Sequence, residues 1–240
     1  MPVLCLLLTA APAGAQFKFR EPTNRQDPNA LSQFHEKVLW SQFLDSRHLG
    51  NFSLEGTLAY RPARSGSLTY QCRLEGDWRS GSRQTRILLV GEDGIQVERE
   101  VSLPFPEGTV TPLDESILED LPFTWADLLM PWLQWNQVEY LGPDRYLGRP
   151  VHRFQLTSDK ADSLPFSVIV SIDEIYAALL KVDFLDSEGR FYKRIRVGGF
   201  KRFKDAWMFS ELYWEHRSRR ESVLLEVTAF QIGQAPSVSD

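Results

Sequence analysis

The sequence predicts an α+β protein built on one strongly curved antiparallel sheet of about ten or eleven strands. Apolar and polar residues alternate in many short stretches, and the turns between these stretches are too short for anything but antiparallel pairing. Only two or three stretches have helical spacing. No linker or shift in composition divides the 240 residues, so a single domain is expected. A sheet of this size has to curl or close.

The first fifteen residues have the pattern of a secretory signal peptide. Val3 to Leu8 is an apolar run, and Ala13 and Ala15 are small residues at positions −3 and −1 of a cleavage site. We therefore expect cleavage after Ala15 and export to the periplasm; the alternative for this stretch is a buried N-terminal strand. Cleavage leaves Cys72 as the one remaining cysteine, so no internal disulfide is expected.

An extended arm and then a helix are predicted to follow the signal peptide. Residues 16–28 are polar and contain two prolines, which favours the arm. Asn29 can cap a helix from about Ala30 to Arg47, with Gly50 as its stop. This helix is predicted to lie across the sheet through one apolar face, which contains Leu31, Phe34, Val38, Phe43 and Leu44, with Trp40 nearby.

Ten stretches alternate with the period of two that strands require. Turns are predicted at Gly91–Gly94, Asp186–Gly189 and Lys204–Ala206, and residues 232–240 are predicted to be a flexible tail. The predicted strands are Phe52–Tyr60, Leu68–Leu74, Arg86–Val90, Ile95–Val101, Val151–Thr157, Phe166–Ile172, Ala178–Leu185, Arg190–Phe203, Trp207–His216 and Ser222–Gln231.

Residues 121–135, which we call the apolar segment, contain one charged residue, Asp127. Thr124 and Asp127 have the spacing of a capping box, and Pro131 forces a kink or a stop. The tryptophans and leucines between them recur at helical intervals. A helix that is apolar on nearly every side must be covered on every side. It is either a core helix or a lid whose inner face meets an apolar ligand.

The sequence contains no recognised catalytic, metal-binding or phosphate-binding motif, so we predict that the protein is not an enzyme and has no cofactor or metal. Its four histidines are scattered and lack metal-ligand spacing. A net charge of −5 gives no reason to expect nucleic acid as a partner. Two basic clusters, at residues 193–204 and 217–220, form either a patch for an anionic partner or a solvated strand face.

The order of these elements resembles that of the outer-membrane lipoprotein-sorting family, the LolA-like periplasmic carriers and their relatives. The closest likeness lies between Leu128 and Val227. There, Leu129–Trp135 precedes Tyr146–Val151, and the turn at Asp186–Arg190 comes before Trp207. The resemblance covers residues 30–231, and a LolA-like domain is assigned to residues 29–231.

The resemblance implies an open, incomplete β-barrel whose helices cover its concave face and enclose an apolar cavity. It further implies a monomeric, non-enzymatic carrier that takes lipoprotein acyl chains or another lipid from an inner-membrane donor to an outer-membrane acceptor. The alternative is a lipid- or protein-sensing periplasmic interaction module with the same fold.

The residues expected to line the cavity are chosen from this sequence alone. A one-residue slip in any strand would turn its members to the other face of the sheet. They are Trp125, Leu128, Leu129 and Trp132 of the apolar segment, and Leu58, Tyr60, Tyr70 and Leu74 of the first two strands.

Overall fold

A computed structural model describes residues 28–45, 50–64, 66–79, 82–103, 116–117, 123–135, 137–158, 166–204, 206–217 and 219–233. The predicted signal peptide, the predicted arm up to residue 27 and residues 234–240 of the predicted tail lie outside the described residues. Ile232, the first residue of that predicted tail, ends the last strand and pairs with Phe52.

Eleven antiparallel strands form one sheet, which confirms the predicted strand number and pairing sense. Each predicted stretch corresponds to a strand, although β2 continues to Arg79 and β3 begins at Ser82, beyond the predicted bounds, and one strand is added. The strands are β1 (Gly50–Arg61), β2 (Leu68–Arg79), β3 (Ser82–Gly91), β4 (Gln96–Leu103), β5 (Gln137–Tyr146), β6 (Arg149–Thr157), β7 (Ser167–Asp173), β8 (Leu179–Leu185), β9 (Phe191–Phe203), β10 (Ala206–His216) and β11 (Glu221–Ile232).

The sheet combines two meanders. The strand order is β4-β3-β2-β1-β11-β10-β9-β8-β7-β6-β5. Strands β1–β4 form the first meander and β5–β11 the second, and the two are joined where β1 pairs with β11. That pairing runs from Phe52 opposite Ile232 to Arg61 opposite Ser222. The sheet is not closed, because β4 and β5 are its two edges.

The added strand is β5, which the sequence pattern did not predict. Gly142 and Pro143 interrupt its alternation, Gly142 has a φ of +103°, and the pairing with β6 shifts between Tyr140 and Gly142. Proline cannot donate a hydrogen bond to a neighbouring strand, so it is tolerated at an edge. Because β5 is an edge strand, it can contain both residues.

Among the described residues, two α-helices accompany the sheet: α1 (Pro28–Asp45) and α2 (Trp125–Leu129). Proline is well placed in the first turn of a helix, where its missing N–H would have no partner. The predicted apolar face of α1 was partly wrong: Val38 is 38% exposed, whereas Leu39 and Phe43 are buried. The prediction for Leu31 and Phe34 lies outside the described side chains.

One face of the sheet holds most of the core. A row of directly paired residues crosses eight strands on this face, and all of them are buried except the half-buried Tyr140. From β5 to β1 the row is Tyr140, Phe154, Val170, Val182, Ile195, Trp214, Val223 and Tyr60. We call this the core face.

Candidate functional site

The apolar segment folds locally as its sequence predicts. Thr124 caps α2: its hydroxyl accepts a hydrogen bond from the Asp127 amide at 3.3 Å, and the Asp127 carboxylate accepts one from the Thr124 amide at 2.9 Å. The helix ends at Met130, whose φ is +49°, and Pro131 begins a 3-10 turn that runs to Gln134. The predicted capping box and the predicted stop at Pro131 are confirmed.

The apolar segment packs on the core face at β8 and β10. The ring of Phe123 meets Trp214 of β10 edge-on at 4.6 Å, and the ring of Trp132 meets Phe184 of β8 at 5.8 Å. The four residues of the segment that we expected to line a cavity are buried and at most 4% exposed: Trp125, Leu128, Leu129 and Trp132.

The four strand residues expected to line the cavity share the core face. Leu58 pairs directly with Tyr70, and the neighbouring positions Tyr60 and Leu74 have the same strand parity. Leu58, Tyr60 and Leu74 are buried, and Tyr70 is half-buried. All eight expected residues therefore belong to, or pack against, one core cluster. The ring contacts of the apolar segment are with β8 and β10, so the β1 and β2 residues lie farther along the same face.

A buried ion pair joins the apolar segment to the sheet. The ammonium of Lys193 in β9 donates a hydrogen bond to the carboxylate of Asp127 in α2. Asp127 is 2% exposed and Lys193 is 9% exposed. Charges are rarely buried unless they are paired, because an unpaired charge loses its hydration without compensation. The single charge of the apolar segment is therefore held by one lysine of the sheet.

Sequence reasoning missed the role of Lys193 because it grouped this residue with the surface cluster at 193–204. A signal for its true position was available. Lys193 has the same strand parity as Ile195 and Val197, which are buried on the core face. Asp127, as the one charged residue of an apolar stretch, required a cationic partner. Combining the two observations would have predicted the pair.

Two tryptophans at this contact have unpartnered indole groups. The Nε1 atoms of Trp132 and Trp214 are buried and have no hydrogen-bond partner among the described residues. A buried N–H without an acceptor loses the hydrogen bond that it would make with water. The contact between the apolar segment and the sheet thus contains two unpartnered donors in addition to the Asp127–Lys193 ion pair.

The outward-facing cations of β9 form ion pairs with their neighbours. Arg194 bonds Asp183 at 2.6 Å, and Arg196 bonds Glu215 at 2.8 Å with its guanidinium 3.8 Å from the Tyr213 ring. Alternating charges on the open side of a sheet are typical of a solvated strand face. For Arg194 and Arg196 the second of the two interpretations of the basic cluster is therefore the better one.

No group of three or more histidine, cysteine, aspartate or glutamate side chains in the described part of the chain could hold a metal ion. The rings of His35 and His152 have centroids 5.6 Å apart. Nδ1 of His152, however, is hydrogen-bonded to the Tyr140 hydroxyl at 2.7 Å. Cys72 is buried, and burial raises the pKa of its thiol to about 12. Within the described residues, no helix has the length and hydropathy to span a membrane.

No model of a known protein family matches the sequence, and no curated protein matches it. Solved structures do match. A domain from Vibrio parahaemolyticus assigned to an outer membrane lipoprotein-sorting protein has a TM-score of 0.65 at 14% identity, over 87% of this chain and 93% of that one.

Two further structures agree with the first. A LolA superfamily protein from Nitrosomonas europaea has a TM-score of 0.63 at 10% identity, over 83% of this chain and 94% of that one. A DUF1329 family protein from Desulfovibrio piger has a TM-score of 0.63 at 8% identity, over 90% and 96%. Likenesses at this level of identity show the fold. The resemblance to the lipoprotein-sorting family is thus confirmed for the fold: the chain has a LolA-like fold.

Proposed function

We propose that this protein is a non-enzymatic periplasmic carrier that binds lipoprotein acyl chains or another lipid and takes part in outer-membrane lipoprotein sorting. One observation carries the proposal: in a LolA-like fold, the apolar segment packs on the core face at β8 and β10 and is bound to β9 through its only charge. In this proposal the core face is the concave face of a curved sheet, and the apolar segment is its lid. A cavity forms between the two when the lid moves.

The proposed ligand-binding residues are those that the closed lid buries. They would be exposed by opening and covered again by a hydrocarbon chain, which suits a site that is apolar in both states. They are Trp125, Leu128, Leu129 and Trp132 in the lid, and Leu58, Tyr60, Tyr70 and Leu74 on the sheet.

The lid is suited to displacement because it has little stability of its own. Its helix has five residues, and isolated helices shorter than about 12 residues are marginal in water. Opening exposes apolar surface, which a bound chain replaces at about 0.8 kcal/mol per methylene. The fourteen or so methylenes of a long acyl chain therefore contribute roughly 11 kcal/mol before the costs of opening are subtracted.

The Asp127–Lys193 pair also suits reversible opening. Taking two charges out of water is costly, so a buried ion pair adds little net stability compared with an apolar pair of the same volume. When the lid moves away, both charges regain water, and this offsets much of the lost attraction. The pair thus fixes the position of the closed lid without making opening prohibitive.

The two free indole donors favour a ligand with acceptor oxygens. An acyl chain in a lipid or lipoprotein is attached through an ester or amide carbonyl, which can accept a hydrogen bond from Nε1 of Trp132 or Trp214. A bare hydrocarbon would leave these donors unsatisfied. The proposed cargo is therefore an acyl ester or amide.

The proposal also assigns the ends of the chain and the route of the cargo. Residues 1–15 are the signal peptide, cleaved after Ala15. The arm assigned to residues 16–28 ends before Pro28, which begins α1, and the tail assigned to residues 232–240 begins after Ile232, which ends β11. The LolA-like domain of residues 29–231 works as a monomer. It receives cargo from an inner-membrane donor and delivers it to an outer-membrane acceptor, without cofactor or metal.

Native mass spectrometry of the protein purified from a bacterial periplasm tests the carrier proposal. We expect a fraction of the molecules to carry a lipid-sized added mass, and delipidated protein to take up a fluorescent phospholipid. Protein that is isolated empty and takes up no lipid would refute the carrier. That result would favour the alternative, an interaction module that binds a protein partner.

The lid is tested by substituting the lysine that holds it. Lys193→Met leaves Asp127 without its partner, so the lid should open more readily and lipid uptake should be about tenfold faster or more in stopped-flow measurements. Arg190→Gln is the matched control, since it removes a cation from an exposed ion pair with Asp186. Equal uptake rates in the wild type and the Lys193 variant would contradict the lid.

A further inference from the structure

A pocket of about 470 Å³ lies at the end of the sheet where β9 begins and β10 turns into β11, and the outward-facing Arg194 and Glu215 belong to its lining. It contains three arginines, one aromatic ring and one imidazole, together with two carboxylates and a serine hydroxyl. The arginines are Arg194, Arg217 and Arg220, the ring is that of Phe191, the imidazole that of His216, and the carboxylates those of Glu215 and Glu221.

The charges in this pocket do not cancel. Arg194 is neutralised by Asp183 at 2.6 Å, and Glu215 by Arg196 at 2.8 Å. Arg217 and Arg220 form no ion pair with any described residue, and Glu221 is the one remaining carboxylate of the lining. The guanidinium of Arg217 lies 5.7 Å from the centroid of the Phe191 ring, which holds it beside an apolar wall. The pocket therefore has a surplus of positive charge.

The turn between β10 and β11 contains both arginines, and one of them has a left-handed backbone conformation. The amide of Arg220 donates a hydrogen bond to the carbonyl of Arg217 at 3.4 Å, and Arg220 itself has a φ of +56°. Glycine or asparagine adopts this left-handed conformation at lower cost than arginine does.

One residue of the pocket, His216, lies next to the site proposed for the acyl chain. His216 lines the pocket and is directly paired with Lys193 in β9 and with Glu221 in β11. Lys193 in turn holds Asp127 of the apolar segment. His216 therefore connects the pocket, along the end of the sheet, to the ion pair that holds the proposed lid.

We propose that this pocket binds the phosphate of an anionic lipid head group, with Arg217 and Arg220 as its ligands. The proposal rests on the proposed carrier function, because it assigns the polar end of the same cargo. Guanidinium groups match the geometry of phosphate oxygens and form charge-assisted hydrogen bonds with them. Phe191 provides an apolar surface for the glycerol carbons next to the phosphate.

The test compares two fluorescent lipids that have the same acyl chains, phosphatidylglycerol and uncharged diacylglycerol. In the full chain, Arg217→Gln with Arg220→Gln should weaken phosphatidylglycerol binding at least about tenfold, since each lost arginine removes a charge-assisted hydrogen bond. Diacylglycerol binding should change less than about twofold. The matched control is Arg64→Gln with Arg99→Gln. It removes the same charge from two exposed positions, one between β1 and β2 and the other in β4.

The outcomes separate the two proposals. If neither lipid binds the wild-type chain, the carrier fails and the head-group site fails with it. If both lipids bind and the Arg217 and Arg220 substitutions change neither affinity, the carrier stands and the pocket assignment is overturned. If inorganic phosphate binds in the pocket while neither lipid binds, the pocket serves a free anion and the head-group assignment is overturned.

A second readout needs no substitution in the pocket. The pKa of His216 is lowered, mainly by burial and to a smaller extent by the positive charges of Arg219 and Lys193. The carboxylates of Glu221 and Asp127 act in the opposite direction and raise this pKa. A bound phosphate beside the ring should raise this pKa, measured by NMR titration with phosphatidylglycerol and again with diacylglycerol. A rise with the first lipid alone supports the site, and identical titrations with both lipids would overturn it.

Discussion

Helix α1 and the apolar segment both pack on the core face, but in different ways. α1 has eighteen residues and meets β6 through Trp40, whose ring lies 5.0 Å from that of Phe154. The apolar segment has a five-residue helix and a 3-10 turn, and it meets β8, β9 and β10 through buried aromatic rings and a buried ion pair. The register of the sheet places both on the same face.

The difference between them lies in how each is stabilised. α1 has an exposed side, with Val38 at 38% exposure, and Trp40 is half-buried. It is long enough to contribute helical hydrogen bonds of its own. The apolar segment has almost no exposed surface and depends on the sheet for its conformation. Of these two elements, the proposed lid therefore depends more strongly on the sheet for its structure.

The largest expected effect is the loss of the buried ion pair. Lys193→Met leaves the Asp127 carboxylate buried and unpaired, and it should lower the free energy of unfolding by about 3–5 kcal/mol. Adding Asp127→Asn removes the stranded charge and should recover about half of that loss or more. Urea denaturation of the single and double variants measures both values.

A matched exposed pair sharpens this result. Arg190 bonds Asp186 at 2.9 Å in the turn between β8 and β9, and Arg190→Gln should leave the denaturation midpoint unchanged, since exposed ion pairs contribute little. If Lys193→Met and Arg190→Gln have equal effects, the Asp127–Lys193 pair does not hold the apolar segment.

The next effect compares the two tryptophans. Trp132 is 1% exposed, so Trp132→Ala should cost about 3–5 kcal/mol of unfolding free energy, whereas Trp40→Ala should cost about half as much because Trp40 is half-buried. Trp132→Phe is the control that keeps an aromatic ring and removes the unpartnered N–H, and it should be far milder than Trp132→Ala. Equal losses for the Trp132 and Trp40 alanine variants would break the comparison.

The smallest effect is expected at α1, as a dependence on pH. Burial lowers the pKa of His152 below its ordinary value of 6.5, and His35 lowers it further, while Glu174 and Glu36 oppose them. Its neutral ring also bonds the Tyr140 hydroxyl. The stability that the neutral ring contributes is present above pH 6.5 and is lost as the pH falls through the lower folded pKa.

This dependence is measured by urea denaturation at a series of pH values between 8 and 5. His152→Gln should flatten the acid side of the profile relative to the wild type. His216→Gln is the control for the other half-buried histidine, whose pKa burial also lowers, and it should remove a separate part of the slope. A profile that is the same in the wild type and His152→Gln would show that this ring does not stabilise the docking of α1.

Local pattern predicted most of the elements and some of the site. Ten of the strands, the capping box at Thr124 and the stop at Pro131 follow from spacing and side-chain chemistry within a few residues. The strand β5 was missed because Gly142 and Pro143 break its alternation, and only its position at the sheet edge makes them acceptable. Lys193 was assigned to a surface cluster because it is charged, although its position in the alternation of β9 places it on the core face.

The sequence by itself predicted about ten or eleven antiparallel strands, an apolar segment with one acid, and a LolA-like order of elements. Only the tertiary structure decided that β1 pairs with β11, that Lys193 meets Asp127 sixty-six residues away, and that Arg217 and Arg220 share a pocket with Phe191. The physical reason is the range of the interactions. Hydrogen-bonded turns and alternating burial act over a few residues, whereas strand order and the pairing of buried charges depend on surfaces that exist only when the whole sheet has formed.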